Sequence, residues 1–356
     1  MPKQTTKKKI TVLVVDDSAM VRKLLVEGLS RDPEIEVVGA AGDPYEARDL
    51  IVRKQPDVVT LDVEMPRMDG LEFLRRIMPR FPIRAVMVSA LTERGRDVTL
   101  RAMEMGAVDF VCKPSGGIQG ISEVMTMLRQ KVKAASHANV AHWKGRVAEP
   151  PPRFTSEAQK AVASKVIVLG ASTGGTEAVK VVLAGLPKEG PGVVIVQHMP
   201  DEFTRYYAER LDEMFDFKCS EARDGAVIAP GRILVAPGGV QSRIARTRNG
   251  YVMKVGGTER CNLHAPSVDT MFHSVAENAG ANAAAVLLTG MGKDGAAGLL
   301  ACRNAGARTF AQDESSCTVF GMPKAALEEG AVDHTTPLVD ISAEIVRWMK
   351  ELRLAS

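Results

Sequence analysis

The sequence predicts two successive α/β domains, each built around a mostly parallel β-sheet with crossover helices. Two regions alternate short β-branched runs with amphipathic segments, which is the pattern of strands joined by helices. Between them, residues 138–164 lose this periodicity and contain three consecutive prolines, as linkers do. A chain of 356 residues also has the length of two ordinary domains. We therefore predict a first domain over residues 1–130, a helix end and linker over 131–164, and a second domain over 165–356.

Five apolar runs predict the strands of the first domain. They lie at residues 12–15, 37–40, 58–61, 85–88 and 107–111. After the first run, apolar residues recur at helical spacing from Val21 to Leu29, which predicts a helix. A second helix begins with Asp43 as N-cap, Pro44 in the first turn and Glu46 as the acid of a capping box.

The second domain repeats the alternation of strands and helices. Its predicted strands lie at residues 166–169, 193–197, 232–236, 284–288 and 309–311. A glycine-rich turn at residues 170–175 follows the first of them and leads into a helix that starts near Thr176. We therefore expect a doubly wound, mostly parallel sheet here too.

Composition and charge argue against several classes of protein. The formal net charge is only +3 and the clearest basic run is a short one at residues 7–9, so we expect no nucleic-acid partner. No apolar run approaches the ~20 residues that cross a bilayer. No secretory h-region follows the N-terminus, so we expect a cytoplasmic protein without membrane insertion. The five cysteines are scattered, which predicts neither disulfides nor a zinc site.

Polar side chains follow four strands of the first domain, where the carboxyl ends of parallel strands meet. Asp16 and Asp17 follow the first strand, Asp62 the third, Ser89 the fourth and Lys113 the fifth. Clustered carboxylates repel one another unless a cation joins them, and Mg²⁺ prefers oxygen ligands. A carboxylate can also act as a nucleophile and form an aspartyl phosphate. The alternative, that each acid merely caps the next helix, fits single residues better than the whole set.

This set resembles the receiver domains of response regulators. The similarity rests on the segments at residues 14–18, 61–70 and 88–90 and on Lys113-Pro114, and it covers about residues 10–130. The resemblance implies a flavodoxin-like parallel sheet. It also implies that Asp62 accepts phosphate from a histidine kinase, with Mg²⁺ held near Asp17 and supported by Asp16. Ser89 and Lys113 would form the switch that senses the phosphate.

The glycine-rich turn of the second domain has two interpretations. It places Ser172 between glycines at a strand-to-helix turn, as in a nucleophile elbow, with helix N–H groups near a developing oxyanion. Such glycines can instead bind a dinucleotide pyrophosphate, but that site needs an acid after the second strand. The second strand ends in Gln197-His198. A histidine at this place favours catalysis.

A serine nucleophile needs a base and an acid that orients the base. His198 lies at a strand end beside Ser172, whereas His264 is a rival in a loop and His273 falls in an apolar helical stretch that predicts a packing role. Asp294 follows the strand at residues 284–288 in a loop rich in glycine. It could orient the histidine or cap the next helix.

Asp269 competes with Asp294 for the role of orienting acid. The order Ser, His, Asp in the chain also differs from that of α/β-hydrolases. The catalytic sheet is therefore expected to be a related doubly wound fold.

The second domain resembles the chemotaxis protein-glutamate methylesterases. The matching segments lie at residues 170–178, 197–200, 203–205, 266–269, 289–295 and 319–323, so that with the first domain the similarity covers nearly the whole chain. The resemblance implies a triad of Ser172, His198 and Asp294. It also implies oxyanion support from the backbone at Thr173 and Met291.

The resemblance to both families implies a function and a form of control. The expected activity is hydrolysis of glutamate methyl esters on methyl-accepting chemoreceptors, with deamidation of glutamines on the same receptors, at receptor arrays. The hydrolase site itself would need no cofactor. An unphosphorylated receiver could cover the active site. Two alternatives are a receiver with a DNA-binding output and a receiver-controlled docking protein without catalysis.

Overall fold

The computed structural model describes residues 8–90, 92–113, 118–140 and 164–351. The chain separates into two compact units, residues 1–143 and 144–356, which are described one at a time. Most of the predicted linker, including its three prolines, lies outside the described residues, as does Pro114 of the Lys113-Pro114 motif.

The first unit contains a five-stranded parallel sheet. Its strands are β1 (Ile10–Val15), β2 (Ile35–Ala41), β3 (Val58–Asp62), β4 (Ala85–Ser89) and β5 (Asp109–Cys112). Their spatial order is β2-β1-β3-β4-β5, the flavodoxin-like order, with the topological switch between β1 and β3. Each central strand is an apolar run because both faces of a parallel sheet are covered by helices. The predicted fold class is confirmed for this unit.

Among the described residues of the first unit, five helices accompany this sheet. They are α1 (Ala19–Ser30), α2 (Pro44–Lys54), α3 (Gly70–Ile77), α4 (Glu93–Glu104) and α5 (Ile118–Ser136). Helix α1 packs with α5, while α3 packs with both α2 and α4. The start of α2 follows its sequence signal, since the Asp43 carboxylate accepts hydrogen bonds from the N–H groups of Tyr45 and Glu46. The Glu46 carboxylate reaches back to the N–H of Gly42, one residue before the cap.

The second unit contains a seven-stranded sheet in which every pair is parallel. Its strands are β6 (Val166–Ala171), β7 (Gly192–Gln197), β8 (Lys218–Glu221), β10 (Arg232–Val235), β13 (Ala283–Leu287), β14 (Arg308–Gln312) and β15 (His334–Thr336). Their spatial order is β15-β14-β13-β6-β7-β10-β8. From β6 the chain passes to β7 on one side and later to β13 on the other. A switch point therefore lies between β6 and β13, where such folds bind ligands.

The described part of this unit also contains six α-helices and a small second sheet. The helices are α6 (Gly175–Ala184), α7 (Asp201–Met214), α8 (Val268–Asn278), α9 (Ala296–Asn304), α10 (Met322–Glu328) and α11 (Ile341–Glu351). The small sheet consists of β9 (Val227–Ile228), β11 (Ser242–Thr247) and β12 (Gly250–Val255) and is antiparallel, in the order β11-β12-β9. Tyr251 and Met253 of β12 join the core that β6, β7 and β13 form. Across the described residues, no helix is long and apolar enough to cross a membrane.

Candidate active site and phosphoacceptor site

The three acids of the first unit converge at the switch point between β1 and β3. Carboxylate oxygens of Asp16, Asp17 and Asp62 all lie within 4.8 Å of one another. Asp16 and Asp62 are buried and Asp17 is exposed. The Lys113 ammonium lies 2.7 Å from Asp62 Oδ2 and 2.9 Å from Asp16 Oδ2. The structure thus brings four of the five expected side chains together.

Electrostatics at this cluster favour a cation. Burial raises the pKa of Asp62 to about 6, an effect that Asp16 reinforces and the Lys113 hydrogen bond opposes. Burial lowers the pKa of Lys113, but its bonds to Asp62 and Asp16 outweigh burial and raise that pKa overall. One ammonium faces three carboxylates, so the cluster keeps excess negative charge. Its all-oxygen donor set suits Mg²⁺.

Ser89 is buried at the end of β4 but is turned toward backbone. Its hydroxyl donates to the carbonyl oxygens of Ala90 at 3.1 Å and of Gly95 at 3.2 Å. Gly95 lies in the first turn of α4, so Ser89 holds this helix start. A side chain at Gly95 would lie only 2.6 Å from the Ala90 carbonyl oxygen, which explains the glycine.

Ser172 lies at the sharp turn between β6 and α6. Its N–H donates to the Thr289 carbonyl at 3.0 Å, and its carbonyl accepts from Gly175 N–H at 2.7 Å and from Gln197 Nε2 at 2.9 Å. Gly174 has a left-handed φ of 78°, and a Cβ there would lie 2.4 Å from Thr318 Oγ1. These contacts fix the serine backbone and explain why the turn is built from glycine.

His198 directly follows the end of β7, and Ser172 directly follows the end of β6. The two strands pair in parallel with Ala171 opposite Gln197, so the next position on each strand is Ser172 and His198. The His198 N–H also donates to the Ala171 carbonyl at 3.1 Å. The strand register therefore places the serine and the histidine side by side.

The His198 ring is oriented by Asp294. Its Nε2 lies 2.8 Å from Asp294 Oδ2, and the histidine side chain is only 6% exposed. Its Nδ1 is buried and has no hydrogen-bond partner among the described residues. With Nε2 donating to the carboxylate, Nδ1 carries the free lone pair and is the nitrogen available as a base.

Asp294 is a buried carboxylate with a full set of donors. Its Oδ1 accepts from Ser267 Oγ at 2.7 Å and Asn262 Nδ2 at 3.0 Å, and its Oδ2 accepts from Val268 N–H at 2.7 Å. Burial alone would raise its pKa. The hydrogen bond and charge of His198, with the bonds from Asn262 and Ser267, instead hold the pKa of Asp294 far below its ordinary value. Asp294 therefore stays ionised and can stabilise an imidazolium.

Asp269, the competing acid, binds the start of α9 and the side chain of Asn262. Its Oδ1 accepts from the Gly298 N–H at 2.6 Å in the first turn of α9, and its Oδ2 accepts from Asn262 Nδ2 at 2.6 Å. Burial, together with the neighbouring charge of Asp294, raises the pKa of Asp269. The geometry thus assigns the contact with His198 to Asp294.

The two rival histidines differ sharply in position. The His264 ring stacks on the His198 ring, with centroids 3.6 Å apart and planes 8° apart. His273 lies exposed on α8, whose neighbours Met271, Phe272 and Val275 face the core. The packing role expected for His273 is therefore wrong, because helical periodicity turns this position outward.

The loop after β13 approaches the serine closely. A Cβ on Gly290 would lie 2.7 Å from the Ser172 Cβ and 2.2 Å from the Met322 Sδ. The next residue, Met291, has an N–H without a hydrogen-bond partner in the described ranges. At Thr173 the carbonyl accepts from the Thr289 hydroxyl at 3.0 Å. The Met291 N–H thus directly follows the glycine that packs against Ser172, which is where the expected oxyanion donor would have to lie.

Sequence reasoning missed several residues that support the triad. It gave no role to Gln197, Thr289, Asn262 or Ser267, which hold the backbone of Ser172 or the carboxylate of Asp294. The sequence carries a usable signal for Ser267, since it precedes α8 as an N-cap serine within a Pro-Ser-Val-Asp segment. It carries no comparable signal for Asn262.

Comparisons with known proteins match both units. Residues 167–345 match the CheB methylesterase family, and residues 12–125 match the response regulator receiver domain family. A relative from Syntrophotalea carbinolica, named protein-glutamate methylesterase/protein-glutamine glutaminase, is 52% identical and covers 98% of this chain and 99% of its own.

Two further comparisons agree with this match. A relative of the same name from Bordetella bronchiseptica is 52% identical over 95% of this chain and 97% of its own. The crystal structure of the Thermotoga maritima CheB methylesterase catalytic domain is 35% identical and has a TM-score of 0.50. The similarity covers 52% of this chain and 99% of that structure.

Proposed function

The chain belongs to the CheB methylesterase family with a receiver domain, and on this premise we propose that it hydrolyses glutamate methyl esters on chemoreceptors by serine acyl transfer. It is a carboxylic ester hydrolase that also acts as a protein-glutamine glutaminase, as its relatives are named. The observation that carries the mechanism is the contact between His198 and Asp294 at the strand end next to Ser172. This family membership favours the hydrolase over both a DNA-binding output and a non-catalytic docking protein.

The first half of the reaction forms an acyl-enzyme. Ser172 Oγ attacks the ester carbonyl of the receptor glutamate while His198 Nδ1 accepts the hydroxyl proton. Asp294 stabilises the resulting imidazolium through Nε2. The Met291 N–H and the backbone at Thr173 face the oxyanion. His198 then returns the proton to the methoxy group, which leaves as methanol.

The second half restores the enzyme. His198 Nδ1 takes a proton from water, and the hydroxide attacks the acyl carbonyl of the ester to Ser172. Collapse of this intermediate releases the receptor glutamate, and the proton returns to Ser172 Oγ. A glutamine side chain has the same carbonyl geometry, so the same steps release ammonia in place of methanol.

Control belongs to the first unit. We propose that a histidine kinase phosphorylates Asp62, with Mg²⁺ held by Asp16, Asp17 and Asp62. The bound ion would offset the charge of the acids and the incoming phosphoryl group. Lys113 would then pair with the phosphate, and Ser89 would exchange its Gly95 carbonyl partner for a phosphate oxygen.

The hydrogen bonds of Ser89 and Lys113 support this switch. Such a switch shifts the population of states in which the hydrolase site is accessible. We place the protein in the cytoplasm, beside the receptor arrays that hold its substrate.

The test is methanol release from methylated chemoreceptor membranes, with and without acetyl phosphate and Mg²⁺. We expect release to rise when the phosphodonor is added and to fall by at least about a thousandfold in Ser172→Ala. Ser315→Ala, which changes an exposed serine of the same unit, is the matched control and should keep full activity. Methanol release by Ser172→Ala at the wild-type rate would refute the triad.

A further inference from the structure

A hairpin beside the active site displays an exposed leucine in a costly conformation. The N–H of Cys261 donates to the His264 carbonyl and the N–H of His264 donates to the Cys261 carbonyl, which closes a two-residue turn. Its central residues are Asn262, with φ 51°, and Leu263, with φ 71°. Left-handed φ at both positions is the combination of a type I′ turn, whose second central position favours glycine.

Leucine is a poor residue for this position on two counts. Its Cβ is strained in the left-handed region, which asparagine tolerates and glycine adopts freely. Its side chain is also 69% exposed, and among the large apolar side chains of the described residues only Met20 is more exposed. A glycine would remove both costs, so folding does not explain the leucine. Strain held at an active site is a reason to look for function.

The turn is anchored to both members of the acid–base pair. Asn262 Nδ2 donates to Asp294 at 3.0 Å and to Asp269 at 2.6 Å, and the His264 ring stacks on His198. Leu263 lies between these two anchors in the chain. Its backbone is therefore fixed relative to the catalytic histidine, whereas its side chain points to solvent.

The surroundings suit an acidic protein segment with an apolar residue near its target. Met291, at the expected oxyanion site, is another exposed apolar side chain at 40%. Arg260, whose Nη1 lies 3.4 Å from the Leu263 carbonyl, and Lys293, beside Asp294, are both exposed. Glu259 is the exposed acid next to them, and Asp294 is buried against His198, so the exposed charge of the two loop segments is positive by one.

We propose that Leu263 contacts the protein substrate, packing against an apolar side chain that neighbours the target glutamate. This inference rests on the proposed function and names a determinant of its specificity. The contact is made in the bound complex and takes no part in bond making, so it should lower KM for receptors. A small ester that fills only the acyl site would not reach it.

The test compares four variants on methylated receptor membranes and on p-nitrophenyl acetate. Leu263→Ala and Leu263→Gly should raise KM for the receptor by about tenfold, the size expected for losing a buried leucine contact. The kcat on receptor and the rate on the small ester should stay within about twofold, because Ser172 and His198 are untouched. Leu263→Met should restore KM, and Leu327→Ala, which removes an exposed leucine from α10, should leave it unchanged.

Thermal unfolding separates a role in binding from a role in folding. Leu263→Gly should raise the midpoint of the second unit by about 2–4 °C, because glycine relieves the left-handed strain. Leu263→Ala keeps a Cβ and should not gain stability. A gain in stability together with a loss of receptor binding is the pattern that a merely structural leucine cannot give.

Two results would refute the Leu263 contact, and a third would refute the proposed substrate on which it rests. A wild-type KM for the receptor in both Leu263→Ala and Leu263→Gly would refute the substrate contact. An equal loss on receptor and small ester would also refute it, because the effect would then pass through His198 or Asp294. Absence of receptor hydrolysis by the wild-type enzyme, with p-nitrophenyl acetate still cleaved, would instead refute the proposed substrate.

Discussion

Single residues decide which ring nitrogen of His198 is free to act as a base. In many serine hydrolases the acid binds Nδ1 and Nε2 faces the nucleophile. Here Asp294 binds Nε2, which leaves Nδ1 of His198 as the nitrogen free to act as the proposed base. Because His198 directly follows β7, its Nδ1, the ring nitrogen nearer the backbone, can serve a serine on the adjacent strand. The proposed proton transfer is the same, with the two ring nitrogens exchanging roles.

The Asp294 carboxylate should couple catalysis and stability to pH. Its folded-state pKa lies below its unfolded value, so it stabilises the fold above pH ~4, and this contribution disappears as pH falls through the folded pKa. We predict that Asp294→Asn lowers kcat by about 10⁴-fold. It should also lower the free energy of unfolding at pH 7 by about 1–3 kcal/mol, and this deficit should shrink on acidification.

Urea unfolding at several pH values checks this prediction, with Asp269→Asn as the matched control. The pKa of Asp269 is raised, so its ionised form costs stability as pH increases. The free energy of unfolding of Asp269→Asn, relative to that of the wild-type protein, should therefore be higher at pH 7 than at pH 4. A deficit in Asp294→Asn that is as large near pH ~2.5 as at pH 7 would contradict the assignment, because the Asp294 contribution is lost only well below the unfolded pKa.

Side chains at strand ends could be predicted, and side chains in loops could not. Ser172, His198 and Asp294 each follow a recognisable apolar run, and parallel strands bring their carboxyl ends together. Asn262 belongs to a hairpin that lies far from any strand of the large sheet in sequence. Its contact with Asp294 depends on tertiary packing, and no periodic pattern in the sequence indicates such a contact.

At the scale of elements, the order of strands explains the order of the triad. The loops that carry Asp294, Ser172 and His198 follow β13, β6 and β7, which are adjacent in the sheet. In the sequence, β6 and β7 come first, and β13 follows only after the strands of the antiparallel sheet. Serine and histidine therefore precede the aspartate in sequence, although the serine is central in space.

The loop after β13 should tolerate no side chain at Gly290. An alanine there would place its Cβ 2.7 Å from the Ser172 Cβ, while Gly290 itself is held by bonds to Val319, Gly321 and Met322. We predict a loss of about 1–3 kcal/mol in stability from overpacking. The kcat should fall by about 100-fold because the serine is displaced.

Gly330→Ala is the control for that loop. Gly330 has a left-handed φ of 69°, and a Cβ added at this position would meet no other atom within 4 Å. Its replacement should cost about 1 kcal/mol through backbone strain and leave kcat intact. Chemical unfolding and methanol release would measure both effects, and a normal kcat in Gly290→Ala would contradict the close packing.

Edge elements are the part of the fold that the sequence does not predict. The central strands are apolar runs buried on both faces, and all lie within a few residues of their predicted positions. Strand β8 alternates exposed and buried positions, and β15 consists of the polar residues His334–Thr336. The antiparallel β11 and β12 also alternate. Such strands lack the continuous hydrophobic signal of a covered parallel sheet.

At the scale of the whole molecule, the two units carry separable chemistry. Every residue that contacts His198 or Asp294 by the hydrogen bonds and stacking described above lies in the second unit. Every member of the acid cluster with Lys113 lies in the first. The proposed coupling between phosphorylation and hydrolysis would therefore act on a unit that itself holds all the proposed catalytic groups.

A fragment beginning at residue 153 should accordingly hydrolyse receptors without any phosphodonor. We predict a rate above that of the unphosphorylated whole chain, because the receiver can no longer shift the population toward an inaccessible state. Its rate should not change with acetyl phosphate and Mg²⁺. The whole chain carrying Asp62→Asn is the complementary case, and it should remain at the low rate with or without phosphodonor.

Methanol release would rank the three proteins, with circular dichroism showing that each is folded. A fragment no faster than the unphosphorylated whole chain would mean that the receiver does not restrain the hydrolase. Phosphorylation would then have to add activity, and the Asp62→Asn chain and the fragment would share one basal rate. A fast fragment beside a slow Asp62→Asn chain would instead show that the phosphate works by relieving restraint, since the catalytic groups are the same in both proteins.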